Sequence, residues 1–142
     1  MDRETRPNIL DTHVWLWLME GDTRLGPTVV DRLEHAATTG ALFVTSLSLW
    51  EIAALEAAGR VRFSVPVSTW LDEALETPGL NLLQIDARIA AESAALPGTF
   101  EGDPVDALLV AAARTLGARL YSADPAIISY SNQGHVDVER VG

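Results

Sequence analysis

The sequence predicts an α/β fold with a mainly parallel central sheet of four to five strands. Two observations carry this expectation. Short runs rich in Leu, Ile and Val, at residues 7–10, 42–44, 80–85 and 119–121, each give way to a longer stretch with helical apolar spacing. Strands alternating with helices in this way, with no repeat, linker or low-complexity tract over 142 residues, argue for one domain spanning 1–142 built around a parallel sheet.

Residues 7–10 form the first strand, and the chain turns at Asp11-Thr12 into a helix over HVWLWLME. Glu20-Gly21-Asp22 breaks that helix. Pro27 opens a second, from Thr28 to about residue 38, with Val29, Val30, Leu33, Ala36 and Ala37 on one side. Gly40 ends it by supplying a left-handed cap. Leu42-Phe43-Val44 is a short buried strand. Residues 46–58, SLSLWEIAALEAA, are helical by propensity and pattern, and Gly59 closes them. Residues 60–65 alternate and fit a loop or a small strand. Pro66 starts a helix through Trp70, Leu71 and Leu75 that stops before Pro78-Gly79. Residues 80–85 read as a strand, and Asp86 caps a helix running to about Leu96. Pro97-Gly98 begins a loop into FEGDPVDALLVAAA, whose almost wholly apolar helix ends at Gly117. Residues 119–121 are a strand, 122–125 a turn, 126–130 a short helix and 135–139 a last edge strand.

Composition narrows the chemistry. There is no cysteine, which rules out disulfides and thiolate metal sites. All ten basic residues are arginine, so any mechanism that needs a catalytic lysine is excluded. A formal charge of −10 argues against binding nucleic acid through sheer positive field. The N-terminus is polar and lacks a signal-peptide layout, and the apolar run at residues 14–19 is far short of the ~20 residues that span a bilayer. The expectation is a cytoplasmic protein without a membrane partner.

The acids carry the functional signal. In an open α/β sheet, ligands gather beyond the carboxyl ends of the strands. Asp11, the Thr45-Ser46 junction and Asp124 follow predicted strands and share that edge. Each acid has a structural explanation. Asp11 sits at a helix N-cap. Glu51 follows Ser48 by three residues, as in a capping box. Asp103 and Asp124 each precede a proline in a cap-proline pattern. Asp106 is the third helical residue and could close a box with Asp103. These explanations fare worse together. Glu51 and Asp106 enter on helices that are apolar around much of their girth, toward the edge that holds Asp11 and Asp124. Carboxylates brought close raise one another's pKa values, and a hard divalent cation removes that cost. All-oxygen ligation selects Mg²⁺ or Mn²⁺ over Zn²⁺. The histidines lack the spacing of a metal motif, with His13 in a helix's first turn and His35 and His135 unpartnered.

Four ordered blocks carry a family resemblance: Asp11-Thr12-His13 with VWLW, Ser46-Leu47-Ser48-Leu49-Trp50-Glu51-Ile52-Ala53, Asp103-Pro104-Val105-Asp106 with ALLVA, and Ser122-Ala123-Asp124. Together they resemble the PIN domain, and among its members the VapC-type toxin ribonucleases of bacterial toxin–antitoxin pairs. The resemblance runs from about Ile9 to Ile128. It implies a three-layer fold around a Mg²⁺ or Mn²⁺ site and hydrolysis of RNA. Asp11, Glu51, Asp106 and Asp124 fall on the family's acidic positions. Asp103 falls on an aspartate often found just before the third of them, and Ser122 on a hydroxyl position more often filled by Thr. It further implies a homodimer silenced by a cognate antitoxin.

Two other readings were open to the residues. A phosphatase or receiver domain would also place an aspartate at a strand end. Both use a lysine, which is absent, and the phosphatase needs a second aspartate two residues after Asp11, where His13 stands. A catalytically inactive PIN-like binding module would use its acids only as caps, and the intact acidic set argues against that.

Overall fold

A computed structural model of the protein describes residues 6–142; residues 1–5, part of the polar N-terminus read above, lie outside the described residues. Five strands form one sheet: β1 (Asn8–Leu10), β2 (Leu42–Thr45), β3 (Leu80–Leu83), β4 (Arg119–Ser122) and β5 (Asp137–Arg140). Their order is β3-β2-β1-β4-β5, and every pairing is parallel. The chain moves outward from β1 to β3, then returns to the other side of β1 for β4 and β5. The strand order therefore reverses between β1 and β4, which makes the crevice beyond their carboxyl ends the natural ligand site.

Alternation along each strand divides the core in two. Leu10, Leu42, Val44 and Tyr121 face one side, with α1 (Thr12–Glu20), α2 (Pro27–Thr38), α3 (Ser46–Ala57) and α4 (Val67–Leu75). Ile9 and Leu120 face the other, with α5 (Ala87–Ser93), α6 (Pro104–Leu116) and α7 (Pro125–Ser131). The result is the expected three-layer α/β/α architecture. Trp15, on α1, is fully buried and meets Trp70 of α4 with ring centroids 5.9 Å apart. The apolar character of α6 is spent on the second core, where Leu109, Val110 and Ala111 to Ala113 are buried. On α3 the apolar surface goes beyond what the core uses, and Trp50 is left 63% exposed.

Caps fix the element boundaries. Asp11, Asp86, Asp103 and Asp124 each accept hydrogen bonds from the first turns of their own helices. Past α2, Thr39 is the cap residue and Gly40 follows at φ 72°. The N–H groups of Gly40 and Ala41 return to the carbonyls of Ala37 and Ala36, a turn that needs the left-handed glycine. Some expected boundaries move. Residues 60–65 form a loop, not a strand, and Pro66 is the cap of α4 rather than its first residue. The strand expected over 80–85 stops at Leu83, because its neighbour β2 ends opposite at Thr45; Ile85 N–H turns instead to Ser46 Oγ at 3.2 Å. The helix expected to reach Leu96 ends at Ser93, in keeping with the exclusion of Leu96 from helical backbone by Pro97.

Candidate active site at the switch point of the sheet

Asp11 leaves β1 with its N–H bonded to the Tyr121 carbonyl of β4 at 2.9 Å, which ties it to the switch point. Its carboxylate is held from two sides. Thr12 N–H donates to Oδ1 at 2.7 Å, and the hydroxyl of Ser122, the last residue of β4, donates to Oδ2 at 2.6 Å. Asp11 is only 9% exposed, and burial pushes its carboxyl above the ordinary value against the pull of those two bonds and of His13. Ser122 Oγ also accepts from Asp124 N–H at 3.0 Å, which links Asp11 to the start of α7. Asp124 Oδ1 accepts from Ala126 N–H and Ile127 N–H at 2.9 and 3.1 Å.

Glu51 arrives from α3. Helix α3 begins at Ser46 with Thr45 as its cap, so Ser48 lies inside the helix and forms no capping box with Glu51. That expected explanation of Glu51 is wrong. The Thr45 side chain makes no cap bond, and its buried Oγ1 has no hydrogen-bond partner among the described residues. Glu51 Oε1 instead accepts from Thr12 Oγ1 across the helix interface at 2.6 Å. Burial raises its carboxyl above the usual range, opposed by the Thr12 bond and reinforced by Asp11 and Asp103.

Asp103 behaves as the expected cap of α6, its Oδ1 accepting from Asp106 N–H at 2.8 Å. No return bond from the Asp106 side chain completes a box. Among the described residues the half-buried Asp106 carboxylate has no hydrogen-bond donor and no ion-pair partner. Its pKa is pushed up to about 7, first by burial and then by the charges of Asp124, Asp103, Asp11 and Glu51. The other four acids thus lie within electrostatic reach of Asp106. Among the described residues no arginine pairs with any of the five.

The donor set is all oxygen, negatively charged and short of compensating positive charge, which suits a hard divalent cation. As the side chains stand, no group of three or more His, Asp or Glu among the described residues converges tightly enough to hold an ion unaided. Coordination by these acids would therefore draw partly on water or on side-chain rotation, for which the unattached Asp106 is the freest. Gly102 leaves room there, since a Cβ on it would come within 2.4 Å of the Phe100 ring and 3.2 Å of Asp106 Cβ.

The acids expected from the sequence lie within electrostatic reach of one another, and three further side chains lie beside them. Thr12 and Ser48 are both 1% exposed and lie in the cluster, their hydroxyls 2.8 Å apart. His13, set aside for want of a metal-motif partner, is exposed yet close enough for its charge to act on Asp11 and Glu51. The available signal was the hydroxyl directly after Asp11 and another one helical turn before Glu51.

A model of the PIN domain matches residues 9–132. The chain belongs to the PIN-domain family. This PIN domain is 33% identical over 130 residues to Ribonuclease VapC22 of Mycobacterium tuberculosis (strain ATCC 25618 / H37Rv), covering 92% of the chain and 96% of that protein. Its fold is similar to solved structures of toxin–antitoxin complexes. VapBC2 from Rickettsia felis, bound to a DNA fragment from its promoter, gives a TM-score of 0.68 at 16% identity over 95% of this chain and 98% of that one. DNA-bound VapBC from Salmonella typhimurium gives 0.65 at 15% identity, with the same coverage of 95% and 98%. A toxin–antitoxin complex from Klebsiella pneumoniae gives 0.56 at 18% identity over 82% and 86%.

Proposed function

We propose that this PIN domain is a divalent-metal-dependent endoribonuclease of the VapC type, the toxin of a toxin–antitoxin pair. The observation that carries the reading is the carboxylate cluster. Asp11, Glu51, Asp106 and Asp124 come from four separate elements to one sheet edge, with no arginine paired to them among the described residues and with Asp106 pushed up to about 7. A fold that only needed caps would have no reason to bury Glu51 beside Asp11 or to leave Asp106 without a donor. Relatedness to a protein named as a ribonuclease supports the same conclusion.

Asp11, Glu51, Asp106 and Asp124 would hold Mg²⁺, with Mn²⁺ as a substitute. When bound, such an ion makes its water a better nucleophile and offsets charge on the scissile phosphate. The residues divide the remaining work. Asp11 is immobilised by Thr12 and Ser122, and Glu51 is set by Thr12. Asp124 commits Oδ1 to its helix cap and keeps Oδ2 for the site. Asp106 is free to turn toward ion or water. Asp103 caps α6 and adds to the local negative field, and Ser122 passes the position of Asp124 to Asp11. Exposed Arg60 and Arg62, just past α3, are available for substrate phosphates.

The partners in this reading are RNA, a cognate antitoxin protein and a second copy of the chain in a homodimer. The similarity of the fold to the toxin–antitoxin complexes supports the antitoxin. A cytoplasmic setting fits, and among the described residues no helix is long and apolar enough to cross a membrane. The test is cleavage of structured RNAs by antitoxin-free protein. Activity should appear with Mg²⁺ or Mn²⁺ and vanish with EDTA and in Asp11→Asn. Cleavage that survives both treatments overturns the assignment.

A further inference from the structure

Thr12 touches two of the clustered acids through two different atoms. Its backbone N–H donates to Asp11 Oδ1 at 2.7 Å, and its Oγ1 donates to Glu51 Oε1 at 2.6 Å. A hydroxyl has a single proton, so the remaining contact, to Ser48 Oγ at 2.8 Å, must run from Ser48 to Thr12. The chain of donation is therefore Ser48 to Thr12 to Glu51, and both hydroxyl residues are buried. The dependence of the two acids on Thr12 is unequal. Asp11 has a second donor in Ser122, whereas among the described residues Thr12 is the sole donor to Glu51.

We propose that Thr12 is a positioning residue that fixes Glu51 relative to Asp11, with Ser48 behind it holding the hydroxyl in the donating orientation. The inference rests on the metal-dependent reading of the acid cluster and deepens it. Threonine suits the task better than serine would. Its branched Cβ restricts χ1, so packing of the methyl group also directs the hydroxyl. A hydroxyl donating to a carboxylate makes a charge-assisted bond, stronger than a bond between neutral groups. The competing account is that a buried hydroxyl merely uses the nearest acceptor. That account predicts lost stability on substitution but unchanged affinity for an ion.

The experiment compares the full chain with Thr12→Val, Thr12→Ser, Ser48→Ala, Glu51→Gln and the Thr12→Val/Glu51→Gln double variant. Mg²⁺ affinity is measured by calorimetry, and kcat and KM on a cleaved RNA are measured beside it. Thr12→Val should weaken Mg²⁺ binding by about 10–100-fold, the range seen when a partner of a metal ligand is lost. It should lower kcat more than it raises KM. Thr12→Ser should recover most of the loss, and Ser48→Ala should fall between. In the Glu51→Gln background Thr12→Val should cost little more, because its target is already gone. Wild-type Mg²⁺ affinity in Thr12→Val, equal losses in both backgrounds, or no recovery by serine would each overturn the proposal. A wild-type protein with no response to Mg²⁺ would instead sink the metal-dependent reading. The positioning role is then judged by thermal unfolding of the same cycle without metal. Non-additivity of about 2–4 °C, roughly 1 kcal/mol for a domain of this size, keeps it, and additive shifts remove it.

Discussion

Strand β4 joins two electrostatic environments of opposite design. At its amino end Arg119 shares Asp137 with Arg6, and nearby Arg32 of α2 pairs with Glu139 of β5. At its carboxyl end Ser122 donates into a set of acids with which no arginine forms an ion pair among the described residues. The consequences differ in sign. Burial pulls Asp137 upward, but the Arg6 hydrogen bond and the Arg119 charge outweigh it and leave Asp137 below the ordinary carboxylate value. Burial pulls Asp106 upward as well, and there the neighbouring carboxylates add to the shift and take it to about 7. One edge uses charge to fasten the outer strand β5. The other holds charge in a state that only protonation or a cation relieves. Nine arginines lie among the described residues, and none of them forms an ion pair at the carboxyl edge.

The largest effect should come from breaking the carboxyl edge. Asp11→Asn keeps the shape and the bond from Thr12 N–H, reverses the Ser122 contact so that the amide donates to Oγ, and removes the charge. RNA cleavage at saturating Mg²⁺ should fall by more than about 100-fold, beyond the range seen when a partner of a metal ligand is lost. Activity within tenfold of wild type would mean that this edge is not the catalytic one. Next in size is the response to the ion. Mg²⁺ at about 100 times its dissociation constant should stabilise the fold by roughly 2.7 kcal/mol, read as a rise in melting temperature that grows with concentration. Asp137→Ala should leave that rise intact, and a loss of it in that variant would show that the two edges are not independent.

The contrast also explains what could be read in the chain beforehand. Asp11, Asp103 and Asp124 announce helix starts because a cap works through bonds within a few residues, and those bonds do form. The short apolar runs likewise marked the strands, although the division of Ile9 from Leu10 and of Leu120 from Tyr121 between the two cores belongs to the folded sheet. Strand order was beyond such local signals, since nothing near β4 says that it returns to lie beside β1. The same reason hid Thr12. Its partners Ser48 and Glu51 lie 36 and 39 residues away, and only the docking of α1 on α3 brings them together. Ser48 and Glu51 fitted a capping box locally. The continuous run from β2 into α3, with the helix already begun at Ser46, is what displaced it.

A smaller effect separates the electrostatics of the two edges without an ion. In the metal-free protein Asp106 binds its proton more tightly folded than unfolded, because its pKa rises from 3.8 to about 7. Folding stability due to this group should therefore be greatest below about pH 4, decline as pH rises toward 7, and level off above it. Asp106→Asn should remove that slope and stabilise the metal-free fold at pH 7 by on the order of 1 kcal/mol, the full shift being discounted for screening at a half-exposed group. An unchanged or lowered melting temperature at pH 7 would contradict the repulsion inferred at the carboxyl edge.

The smallest effect is at the other edge, and there the sign reverses. Asp137 has a lowered pKa in the fold, so its contribution is present above the unfolded value near 3.8 and fades as pH falls through the lower folded one. Asp137→Ala should cost about 0.5–1 kcal/mol at pH 7, as for partly exposed ion pairs, and less in high salt. Cleavage by this variant should be unaltered, since the loss loosens β5 and reaches no site acid. Chemical denaturation at two pH values reads both slopes. If Asp106→Asn and Asp137→Ala shift stability in the same direction at pH 7, the opposition between the two ends of β4 fails.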